Sequence, residues 1–135
     1  MGVYDSFLID YPLPIEPWIP EKYKPFIYYT FQADGFQSKD LECCLKSFYI
    51  SNDGHIFEDT FGSFEADKKP FERKQIYYHG HIRVYTPVYL DDDKEETRGP
   101  MLWFEYDLKF TDSLLVNAKM VSPTQKDLYE LHRNI

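Results

Sequence analysis

From Gln75 to Leu90 the side chains alternate with a period of two. Ile76, Tyr78, Gly80, Ile82 and Val84 fall on one face; Tyr77, His79, His81, Arg83 and Tyr85 fall on the other. Strands repeat their faces every second residue, so this register predicts an extended segment with one side in a core and one toward solvent. The pattern resumes after the charged loop Asp91–Pro100: Leu102, Phe104, Tyr106, Leu108 and Phe110 point inward, and Trp103, Glu105, Asp107 and Lys109 outward. Two such runs read as an antiparallel hairpin, and a turn at Thr111–Ser113 returns the chain through Leu114–Val121. A hairpin of this length commits the chain to a sheet-based fold. Its 135 residues predict a single domain spanning 1–135, domains commonly running about 100–150 residues.

The flanking segments extend the same theme. Phe26–Gln32, rich in aromatics and ended by Asp34-Gly35, reads as a strand, as do Phe36–Leu41 and Leu45–Ile50. Ser51-Asn52-Asp53-Gly54 followed by Ile56-Phe57 is the strongest turn signal in the chain. Residues 60–75 form a long connection. Residues 11–25 hold five of the nine prolines, which excludes helix or central strand and predicts an extended arm that packs through Trp18 and Ile19. The spacing of Pro14, Pro17 and Pro20 fits a PxxP pattern, but packing is the better-supported reading. Ser122-Pro123-Thr124-Gln125 starts a C-terminal helix over 122–133, with Ser122 as its cap and Leu128 and Leu131 on its apolar side. The expected fold is mainly β: an antiparallel meander of six or seven strands forming a sandwich or partial barrel, with a short C-terminal helix.

Composition narrows the function classes. Twelve Tyr, eleven Phe and two Trp make 19% of the chain, enough to build a core and to leave rings for an interface, a homodimer included. Residues 1–67 carry twelve acids and four bases, whereas 68–135 carry eleven of each. Nucleic-acid binding needs a basic face, and the densest basic run, Lys68, Lys69, Arg73 and Lys74, is short; the balance argues against it. An acidic half suits solubility or a basic partner. No apolar run is long enough to span a membrane, and the first residues lack the basic start of a signal peptide, so the expected address is cytosolic. Adjacent Cys43 and Cys44 would point to opposite faces of a strand and are expected to be reduced.

Candidate chemistry gathers on the outward face of Gln75–Leu90. His79 and His81, two apart on a strand, have the spacing of two metal ligands, with His55 or Glu105 as a third. This is the basis for a metal-dependent hydrolase as one alternative. Tyr77, His79, His81, Arg83 and Tyr85 together combine a fixed cation, imidazoles and stacking rings, a set that suits a small nucleotide or another phosphate-bearing ligand. The competing expectation pairs Arg83 with Glu105 or Asp107 across neighbouring strands. Phe36, Gln37, Ser38, Lys39 and Asp40 form a candidate interaction loop, against a structural reading with Phe36 in the core and Asp40 bonded to backbone. No nucleophile motif, phosphate loop or calcium loop is present, so no cofactor and no catalytic residue are expected.

Several segments form a series: the opening MGVYDSFLIDYPLP, Phe36-Gln37-Ser38-Lys39-Asp40-Leu41, the turn at Asp53-Gly54, His79-Gly80-His81-Ile82-Arg83-Val84-Tyr85-Thr86, and Trp103-Phe104-Glu105-Tyr106 through Phe110-Thr111-Asp112. The series resembles a family of small, uncharacterised proteins of bacteriophages and prophages. It departs at Ser113, where the pattern has Gly, and at the longer Asp91–Gly99 loop. The resemblance implies origin in a mobile element and a bias toward host takeover or counter-defence; it implies no particular chemistry. The expected function is that of a non-enzymatic accessory protein in the bacterial cytoplasm. It would inhibit a host protein, a defence component for example, engaged through the acidic half and the proline arm.

Overall fold

A computed structural model describes residues 4–41, 45–60, 72–90 and 100–133. In chain order the described elements are β1 (Asp5–Ile9), α1 (Lys24–Ala33), β2 (Phe36–Ser38), β3 (Ser47–Ile50), β4 (Ile56–Thr60), β5 (Glu72–Gln75), β6 (Gly80–Tyr89), β7 (Met101–Thr111), β8 (Leu114–Ser122) and α2 (Gln125–Arg133). The strands make one sheet in the order β5-β4-β3-β1-β2-β6-β7-β8. The chain is mainly β with a C-terminal helix, as expected, but it is neither a six- or seven-stranded meander nor purely antiparallel. β1 lies parallel to β3, from Ser6↔Ser47 to Ile9↔Ile50. Parallel neighbours need a long crossover, and here the arm, α1 and β2 supply it; local turn signals do not reveal such a pairing.

Three segment assignments change with the structure. Phe26–Gln32 lies within a helix, not a strand: Ile27, Thr30 and Phe31 are buried at three- and four-residue spacing, which a helix, not a strand, brings to one face. The arm does not stay extended to residue 25, because Glu21–Tyr23 form a 3₁₀ turn and Pro25 sits in the first turn of α1. Proline is tolerated there, where the amide it lacks would be unpaired anyway. The expected strand Gln75–Leu90 is broken: Gln75 ends β5, residues 76–79 form a link, and β6 begins at Gly80. Gly80, at φ +130°, redirects the chain where pairing switches from β4 to β7.

That four-residue link dictates the shape of the sheet. Five steps of extended chain reach at most about 18 Å. In a flat sheet β5 and β6, five positions apart, would be about 24 Å apart. The sheet must therefore curl. It does so until the β3–β4 turn meets β8: Leu115 N–H donates to Gly54 O at 2.9 Å, and His55 forms a β-bridge with Leu114. Beside this contact Ser113 N–H donates to Tyr78 O and Tyr78 N–H to Ser113 Oγ, both at 2.8 Å. The sheet is curled but not closed.

The core fills the concave side. Phe31 of α1 packs on Phe36, Phe104 and Tyr106 with ring centroids 4.8, 5.6 and 5.9 Å apart. The arm crosses the same side: Ile19 is buried, Trp18 packs against the core, and the Tyr106 hydroxyl donates to Pro14 O at 2.7 Å. Burial also raises the Tyr106 pKa, so this phenol stays a donor. Half-buried Leu128 and Leu131 dock α2, and His132 Nε2 meets the Tyr23 hydroxyl at 2.7 Å. The helix cap is Thr124 rather than Ser122: Asp127 N–H donates to Thr124 Oγ1 (3.1 Å) and Thr124 N–H to Asp127 Oδ2 (2.8 Å). Ser122 stays in β8, its hydroxyl donating to Trp103 O at 2.9 Å.

Candidate functional site: the outer face of β6 and β7

β6 and β7 pair without a slip from Gly80↔Phe110 to Tyr89↔Met101. The even-numbered side chains of both strands enter the core, so the odd-numbered ones share the convex face. Across that face the opposed pairs are His81↔Lys109, Arg83↔Asp107, Tyr85↔Glu105, Pro87↔Trp103 and Tyr89↔Met101. The face is graded, charged at the Gly80 end and apolar at the Tyr89 end. Diagonal neighbours complete it. Arg83 Nη1 donates to Glu105 Oε2 at 2.5 Å with Asp107 Oδ1 3.9 Å from its Nε, and His81 Nδ1 lies 2.9 Å from Asp107 Oδ2. Tyr85 and Trp103 stack at 5.3 Å, 25° from parallel. Trp103 and Met101 are 39% and 40% exposed, so the apolar end is open to solvent.

The five residues of the sequence-based ligand site do not gather. His81, Arg83 and Tyr85 stand on this face, but Tyr77 and His79 lie in the link before Gly80 and clasp the β7–β8 turn. The Tyr77 hydroxyl donates to Asp112 Oδ1 and Asp112 N–H donates to His79 Nδ1, both at 3.2 Å. His55 is occupied elsewhere, 3.1 Å from Asp53 Oδ1. Hydrogen bonds from Ser51 first, then from His55, hold the Asp53 pKa down to about 2. Among the described residues no three His, Cys, Asp or Glu side chains are grouped so as to hold a metal ion.

The candidate interaction loop is in large part an interior strand. Phe36 and Ser38 are buried in β2, Gln37 pairs with Tyr85, and Ser38 Oγ donates to Arg83 O at 2.8 Å. Asp40 turns back to accept the Arg83 N–H at 2.5 Å. Only Lys39 and Asp40 of the five are exposed. These residues brace the outer face rather than forming a loop of their own.

The acidic half changes meaning in the same way. Of its nine described carboxylates, seven are engaged within the fold. Asp5 accepts from Lys46 N–H, Asp10 from the Tyr49 hydroxyl, Asp40 from Arg83 N–H and Asp53 from Ser51; Glu21 pairs with Lys24, Glu58 with Lys46 and Asp59 with Arg73. Cys43, Cys44, Lys68, Lys69 and the loop Asp91–Gly99 lie outside the described residues. No helix among the described residues is long and apolar enough to cross a membrane. The sequence reading left Pro87, Tyr89 and Met101 out of the site. Their signal was the same alternation, carried two pairs further toward the loop. No family model, curated protein or solved structure matches the chain.

Proposed function

We propose that this chain is a non-enzymatic binding protein of a bacteriophage or prophage that acts on a host protein, as a counter-defence inhibitor would. The contact is made by the convex face of β6 and β7 rather than by the proline arm. One observation carries the choice of surface: exposed Trp103, stacked on half-buried Tyr85, stands beside exposed Met101 at the apolar end of a rigid, fully registered hairpin. Exposed aromatic clusters on rigid elements are typical anchors of protein interfaces. The arm is held against the core by Ile19 and Pro14, which leaves it little freedom to bind as a peptide. The resemblance to phage and prophage proteins supports the setting.

Nucleotide capture on the same face draws less support. The Arg83 guanidinium and the His81 imidazole are already matched by Glu105 and Asp107, and an incoming phosphate would have to sit beside those two carboxylates.

The test is retention of a bacterial protein on immobilised wild-type chain, compared with Tyr85→Ala and Arg83→Ala. A stoichiometric partner should be held by the wild type and weakened about tenfold by each substitution, with circular dichroism melting used to confirm that each variant is folded. Added salt should weaken the hold as well. Equal retention by all three proteins would overturn the surface.

A further inference from the structure

The apolar end of the convex face runs on into a groove that no sequence pattern announces. Where β7 begins, Met101, Leu102 and Trp103 lie across from Pro123 and Leu131, enclosing an open groove of about 480 Å³. Cavities of this order accommodate ligands or anchoring side chains, commonly at about 300–1,000 Å³. The charged side chains lining it are both acids, Asp127 and Glu130. Asp127 is partly committed to the helix cap through Thr124, but Glu130 has no ionic partner among the described residues. The connection from Leu90 to Pro100 leaves and re-enters the sheet at this same end, its ends joined by a 2.8 Å bond from Leu90 N–H to Pro100 O.

We infer that this groove takes a segment of a partner protein in which an apolar anchor side chain is flanked by lysine or arginine. The inference rests on the binding-protein reading and names the chemistry of the partner. Sign decides among occupants. A second copy of this chain brings its own net charge of −8, and a nucleic acid or an anionic membrane is repelled by the same acids. A cationic peptide gains from Glu130 and Asp127, while its anchor meets the indole of Trp103. Stacking on Tyr85 already fixes that indole, so little order is lost when the anchor arrives. The groove is bounded by α2 on one side and a strand on the other, a shape suited to a narrow segment rather than a flat surface.

The probe is a displayed library of random short peptides panned on the full chain. Enriched peptides should combine an apolar residue with adjacent Lys or Arg. They should lose about tenfold in affinity on Glu130→Lys and again on Met101→Glu, and keep wild-type affinity on Lys109→Glu at the far end of the face. All three positions are exposed, and circular dichroism melting confirms folding of each variant. Failure to enrich any peptide, enrichment without cationic residues, or binding indifferent to Glu130→Lys and Met101→Glu would each overturn the groove assignment. If a whole partner is still lost on Tyr85→Ala while no peptide is enriched, the groove fails and the binding face stands. If neither partner nor peptide is retained, both readings fall.

Discussion

At the residue scale, the β7–β8 turn shows how one side chain can be misread from its neighbours in sequence alone. Asp112 and Ser113 occupy the two central positions at φ +48° and +69°, the left-handed pair that a two-residue hairpin turn requires. Glycine is the usual second residue there, and serine looks like a poor choice. The compensation comes from 35 positions upstream, where Tyr78 offers its carbonyl to Ser113 N–H and its own N–H to Ser113 Oγ. No local pattern reveals that partner. Two substitutions separate the contributions. Ser113→Ala keeps the strained backbone and orphans Tyr78 N–H, which should cost about 1–2 kcal/mol. Ser113→Gly loses the same bond but relieves the backbone, and should be more stable than the alanine variant by about 1 kcal/mol. Urea denaturation of the pair measures the difference; equal stabilities would mean that the turn carries no such strain.

At the scale of elements, the clearest parts of the fold in the sequence were those whose pairing partners lie next to them along the chain. β7, β8 and the β3–β4 turn follow from alternation and turn chemistry, and so does the outward standing of His81, Arg83 and Tyr85. α1 did not, because its rings, Phe26, Tyr28, Tyr29 and Phe31, weigh toward strand while the buried set at Ile27, Thr30 and Phe31 has helical spacing. β1 was missed for a different reason: its pairing with β2 and β3 is settled by residues thirty to forty positions away. β5 is the element most dependent on side chains. It is a four-residue edge strand, exposed throughout, and Arg73 is its fastener. Arg73 grips buried Asp59 with two bonds of 2.7 and 2.9 Å while its guanidinium lies 3.7 Å from the Tyr49 ring centroid. Arg73→Ala leaves that carboxylate unpaired. The expected cost is about 2 kcal/mol, below the range for a fully buried pair because the arginine side chain is a third exposed. Arg73→Lys, which keeps the charge but not the fork, should fall between. Chemical denaturation orders the three proteins; a lysine variant as stable as wild type would show that charge alone holds the strand.

For the molecule as a whole, the described carboxylates of residues 1–67 tie strands and turns together more than they form one free surface. The surface proposed for recognition belongs to the later half of the sequence, the hairpin and α2, where the net charge is zero but acids line the groove. Charge counting by halves could not show this, because it does not know which carboxylates are already spent. The tie between Gly54 and Leu115 has a kinetic meaning. It joins residues about sixty positions apart, and closing so long a loop is costly, so the tie is expected to form late in assembly. A Cβ at Gly54 would sit 3.1 Å from Leu115 O on a backbone at φ +94°. Gly54→Ala should therefore speed unfolding several-fold in stopped-flow experiments while leaving the refolding rate nearly as it is; slowed refolding would place this tie in the transition state instead. In that order of events the chain behaves like a belt: it is wound first and buckled afterwards, and the buckle governs how long the native state lasts more than how quickly it is reached.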